Sequence, residues 1–139
     1  MPMRTRTRGT RTGLLIAIMP MLLAVTAVRA QPVEVTDAWV RATVPGQKVA
    51  AAYLTLRSSA ASKLVGVKTK AARSAEIHSM SHEGGVMKMR MLRSLDLPAG
   101  RAVALEPGGD HIMLLDPVKP LKEGQRLWLK LVVEQSGRR

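Results

Sequence analysis

Between Val33 and Val133 the apolar residues never settle into a helical period. They recur in short runs of period two, and Gly and Pro cut the runs apart. This pattern constrains the fold more than any other feature, because a strand sends alternate side chains to opposite faces. Val33 to Val40 reads as a strand, with Val33, Val35 and Trp39 on one parity and Asp37 interrupting it. Thr43-Val44-Pro45-Gly46-Gln47 is a turn, and Val49 to Leu56 is the next strand. A loop from Arg57 to Ser62 leads to a short apolar run, Leu64 to Val67. Ala75 to Met80 and Val86 to Leu92 flank Gly84-Gly85 and read as a β-hairpin. Leu97-Pro98-Ala99-Gly100 is a turn, Val103 to Leu105 and Ile112 to Leu115 are strands, and Leu127 to Val133 is the last. Short strands with frequent turns and no internal repeat predict an all-β domain, a sandwich or barrel with Greek-key connections.

The N-terminal segment stands apart from this pattern. Arg4, Arg6, Arg8 and Arg11 precede an uncharged run from Leu14 to Val28, which closes on the small-residue site Val28-Arg29-Ala30. Residues 1–30 read as a cleaved secretory signal peptide. The run is short for a membrane span, and Pro20 interrupts it. The domain is therefore expected over residues 31–139, with its core over about 33–134, in the periplasm and without stable membrane insertion after cleavage. Removing the five arginines of the segment lowers the formal charge from +12 to +7. That basic surface does not point to nucleic acid: export argues against it, Phe is absent, and only Trp39, Tyr53 and Trp128 could stack on bases. The chain has no cysteine. Disulfides, a lipidated cysteine and any thiolate metal site are excluded together.

The chemistry collects in two segments. All three histidines lie in Glu76–Met91 or Gly109–Asp116, and so do the five methionines beyond the N-terminal segment: Met80, Met87, Met89, Met91 and Met113. His111 and Met113 share a strand face, as do His78 and Met80, and as do Met87, Met89 and Met91. If Met80 pairs with Met87 across the hairpin, His78 falls opposite Met89, with Cβ atoms about 4.5–5.5 Å apart. A neighbouring strand can then deliver His111 and Met113 to the same place. Two imidazoles and two thioethers form a soft, uncharged ligand set that selects Cu(I); zinc takes Cys, His or carboxylate, and calcium and magnesium take oxygen. Packing is the competing explanation for Met87 and Met91, since Met fills irregular gaps. His82 reads as a turn residue. No nucleophile–base pair or carboxylate pair stands out, so an enzyme is not expected.

His78, ten residues, Met89, twenty-one residues, His111, one residue, Met113 has the H-x10-M-x21-H-x-M spacing of the PCu(A)C family of periplasmic copper chaperones, which the chain resembles. Ala51-Ala52-Tyr53-Leu54, Glu76-Ile77-His78, Gly84 to Arg90 and Leu121-Lys122-Glu123-Gly124 carry the resemblance further. It implies a cupredoxin-like β-sandwich holding one Cu(I) on His78, Met89, His111 and Met113; the hairpin register separately makes Met80 a candidate for covering the metal or joining it in place of another thioether. It also implies copper delivery toward the CuA centre of cytochrome c oxidase, to its copper-bearing subunit directly or through a thiol relay protein. Sequestration of copper or silver without delivery would use the same site. Some relatives carry a His- and Met-rich C-terminal extension for a second copper; Gln135-Ser136-Gly137-Arg138-Arg139 has no such residues.

Overall fold

The computed structural model describes residues 32–135. The signal peptide read over residues 1–30 and the tail from Ser136 onward lie outside them. The described chain is all-β: β1 (Val33–Val40), β2 (Val49–Ser58), β3 (Ser62–Thr69), β4 (Ala72–Glu83), β5 (Val86–Leu92), β6 (Leu95–Leu97), β7 (Ala102–Leu105), β8 (His111–Pro117) and β9 (Leu129–Gln135). Among the described residues no helix is long and apolar enough to cross a membrane.

The strands form one curled, cupredoxin-like antiparallel sheet running β1-β2-β8-β4-β3, with β9 and β6 on β3, β7 on β2 and β5 on β4. β8 enters between β2 and β4 by a crossover, as Greek-key connection requires. The concave face is the core. Ala50, Ala52, Leu54 and Leu56 of β2 meet Ile112 and Leu114 of β8, Ile77 of β4, and Leu64 and Val67 of β3. All are buried; on β2 and β8 they alternate with residues of the other face, and on β3 a bulge between Leu64 and Gly66 returns Val67 to the core side. Two buried hydroxyls, Ser58 and Ser62, lie 2.9 Å apart and 2.6 and 2.8 Å from the Ala60 carbonyl, so each proton has an acceptor in that carbonyl or in the other hydroxyl. Their burial therefore leaves no polar group unpaired.

Three local features differ from the sequence reading, each for a definable reason. First, β1 carries a bulge between Thr36 and Trp39, with Asp37 at φ 51°. The extra residue flips the alternation: Val35 lies opposite Leu56, whereas Trp39 lies opposite Tyr53. Val35 and Trp39 therefore do not share a face. Second, β6 is a strand of three residues on β3 and ends at Leu97, where the sequence shows only a turn. Third, Gly84 and Gly85 have φ of 57° and 78° and form a two-residue hairpin loop, so pairing continues to Glu83 opposite Val86. The expected register, with Met80 on Met87, is thus off by two. Met80 faces Met89, His78 faces Met91, and His82 faces Met87.

Candidate metal centre

The outer face of the sheet holds the centre, and core alternation puts it there. Ile112 and Leu114 turn into the core, so His111 and Met113 must turn out. On β4, Ile77 is buried in the core and His78 and Glu76 face outward. β8 pairs with β4 so that His111 lies directly opposite His78 and Met113 opposite Glu76. The two imidazoles sit with ring centroids 5.8 Å apart. Tyr53 follows at 6.4 Å from His111, and Trp39 at 4.5 Å from Tyr53. One row thus crosses five strands, Met91, His78, His111, Tyr53 and Trp39, and its four rings lie within the range where aromatic rings attract. Only because of the β1 bulge does Trp39 belong to it.

Both histidines are oriented by hydrogen bonds. Nε2 of His78 donates to the Glu76 carboxylate at 2.8 Å. In the neutral ring this leaves Nδ1 as a bare lone pair, and Nδ1 is buried with no hydrogen-bond partner. Nδ1 of His111 donates to the Gly109 carbonyl at 3.1 Å, leaving Nε2 as its lone pair. His111 is 95% buried. A buried polar atom without a partner is costly, and a carboxylate or carbonyl holding the far nitrogen is the usual support of a metal-bound imidazole. The orphaned Nδ1 of His78 therefore fits a soft metal ion. The donor set at hand is imidazole and thioether, the soft, uncharged donors that Cu(I) accepts.

A cavity of about 320 Å³ opens beside the imidazole row, and its lining includes Met80, Met89, His111 and Met113, with Tyr53 and Ala51. Ala51 lies opposite Met113, and its small side chain leaves room there. The structure thus brings His111, Met113 and Met89 together, with His78 against His111. Met80 lines the same cavity. Met91 does not, although it faces His78, and it is 60% exposed. The sequence reading missed Glu76, Tyr53 and Trp39. Glu76 was legible as the residue two before His78 on the same face; Trp39 was hidden by the bulge.

Comparison with known proteins bears on the family and the fold. The family model described as "Putative lipoprotein LpqE-like" matches residues 33–139. The protein named "Putative lipoprotein Lxx21020" of Leifsonia xyli subsp. xyli (strain CTCB07) is 34% identical over 104 residues, spanning 74% of this chain and 63% of that protein. The chain therefore spans less than two thirds of that relative's length. The apo PCuAC domain from PmoF1 superposes with TM-score 0.60 at 31% identity, over 73% of this chain and 82% of that one. The copper-bound PCuAC domain from PmoF2 gives 0.60 at 27% identity, over 76% and 85%. CuI-DR1885 from Deinococcus radiodurans gives 0.56 at 33% identity, over 80% and 74%. The extent of the family match leads to one conclusion: the chain, which shares its fold with solved PCuAC domains, belongs to the LpqE-like family.

Proposed function

We propose that this protein is a periplasmic copper chaperone that carries one Cu(I) on His78, Met89, His111 and Met113 and delivers it toward the CuA centre of cytochrome c oxidase. The observation that carries the reading is the buried, unpartnered Nδ1 of His78, whose ring does not line the thioether-lined cavity but lies 5.8 Å from that of His111, which does. Copper is cargo here, and the residues divide its handling. Glu76 and the Gly109 carbonyl hold the two imidazoles in ligating tautomers. Met113 and Met89 supply sulfur, which favours the cuprous state. The copper-bound neighbours, a PmoF2 domain and CuI-DR1885, support the choice of metal. The cavity supports Met89 over Met91 as the hairpin's ligand, although the pairing once expected between Met89 and His78 is not formed.

Delivery, rather than storage, is favoured by the exposure of the site. Met89 is 46% exposed, so an incoming thiolate or thioether can reach the metal before the imidazoles release it. The test is anaerobic Cu(I) titration, followed by mixing with the apo soluble domain of the oxidase copper subunit or with an apo thiol relay protein. Transfer to either acceptor is expected. A site that fills but releases copper to neither would favour sequestration; in cells, that role shows as sensitivity to excess copper without loss of oxidase activity in scarcity.

A further inference from the structure

The cavity absorbs only part of the soft-donor chemistry on this face. Along the β4–β5 hairpin, three successive cross-strand pairs join imidazole or thioether to thioether: His78 with Met91, Met80 with Met89, and His82 with Met87. The third pair lies outside the cavity lining, one step from the Gly84–Gly85 turn. His82 is exposed, and Met87 is 48% exposed. Packing does not account for the pair. Beyond Ile77 the buried core takes nothing from β4 toward the hairpin tip, its other β4 members, Ala72 and the partly buried Ala75, lying at the far end, and β5 contributes only the partly buried Leu92. The opposite face of the hairpin is ionic: Glu83 accepts from Lys88 at 2.6 Å and from Arg90 at 3.0 Å. A projecting hairpin with one charged face and one face of imidazole and thioether is built for something other than burial.

We infer that His82 and Met87 form a second, weaker Cu(I) site, which loads the metal and passes it along the hairpin to the cavity. This rests on the cuprous reading of the main site. Directly opposite residues have Cβ atoms about 4.5–5.5 Å apart, so one imidazole nitrogen and one thioether sulfur reach the same ion. Both are donors that Cu(I) accepts. The site is weaker than the cavity because among the described residues no hydrogen bond holds the His82 ring, whereas His78 and His111 are each tied at one nitrogen. The next pair, Met80 with Met89, has diagonal neighbours about 7–8 Å from the first, within reach of long side chains. Transfer is ligand exchange: a bond to Met89 forms as a bond to His82 breaks, the metal stays Cu(I), and no electron or proton leaves it.

The experiment is stepwise titration of the full chain with Ag(I), a redox-inert mimic, read by NMR of the methionine methyl groups and histidine rings. The first equivalent is expected to shift Met89 and Met113, and the second Met87 and His82. The double variant His82→Gln, Met87→Leu changes only exposed side chains, and its circular dichroism is expected to match the parent. It should lose the second response, keep the first, and take up Cu(I) from a chelated donor more slowly. A parent that shows no response at Met87 and His82, or a variant that keeps the second response, overturns the site; unchanged uptake overturns the loading role. If Met87 and His82 respond while Met89 and Met113 do not, the hairpin site stands and the cavity reading fails.

Discussion

The two halves of β4 share one alternation and nearly one chemistry, yet the fold treats them differently. Ala72–His78 has β8 along one edge and meets β3, then β5, along the other. Among the described residues, Ser79–Glu83 is paired only with β5. In the first half each outward donor is backed by a core residue and held by a neighbour, as His78 is by Ile77 behind it and Glu76 beside it. In the second half the donors stand on a two-stranded extension with water around it. The same residue types are thus held in place or left exposed according to how many strands flank them. A copper carrier needs both, since a site that only grips cannot hand its cargo on.

The comparison breaks most sharply at Ile77. Ile77→Ala in the flanked half is expected to lower unfolding free energy by about 2–5 kcal/mol, whereas Met87→Leu in the projecting half should stay within about 0.5 kcal/mol. Urea denaturation of the apo proteins measures both, and equal losses would erase the distinction. Next is Glu76. Glu76→Gln removes the carboxylate that fixes His78, and Cu(I) affinity should fall about 10–100-fold, read by competition with a cuprous chelator. Glu83→Gln in the other half is expected to leave that affinity where it was. Gly85→Ala follows. A Cβ there meets no atom within 4 Å, but φ is 78°, so the penalty is backbone conformation alone, about 1–2 kcal/mol. Hydrogen exchange at the Ser81 and Lys88 amides should rise by the corresponding factor, while exchange at Ile77 should not. The smallest effect is Met91→Leu: thioether lost, shape nearly kept, under about 1.5 kcal/mol in stability, and Cu(I) affinity essentially unchanged. A clear loss of affinity would put Met91 in place of Met89.

Alternation carried the sequence reading a long way. The parity of Ile112 and Leu114 against His111 and Met113 is written in four consecutive residues, and it alone separates core from site. The Gly-Gly hairpin was equally visible. Its loop length was not, because Ser81-His82-Glu83 resembles a polar loop until both glycines take positive φ and close it in two residues. That shift of two kept every side chain on its face and changed every partner. A bulge shifts by one, and so at Asp37 it moved Trp39 to the face that the simple period denied it. Long-range pairing was beyond reach: nothing local says that His111 will lie opposite His78 rather than one pair further along. Short β6 was missed because its three residues pair with β3 immediately before a proline turn.

The central claim is that imidazole and thioether meet on one metal ion. X-ray absorption at the copper edge of the protein, loaded anaerobically with one equivalent of Cu(I), addresses it most directly. A mixed shell with nitrogen and sulfur scatterers together is expected. A shell of nitrogen and oxygen alone would contradict it, and the methionines of this face would then have to be explained without copper.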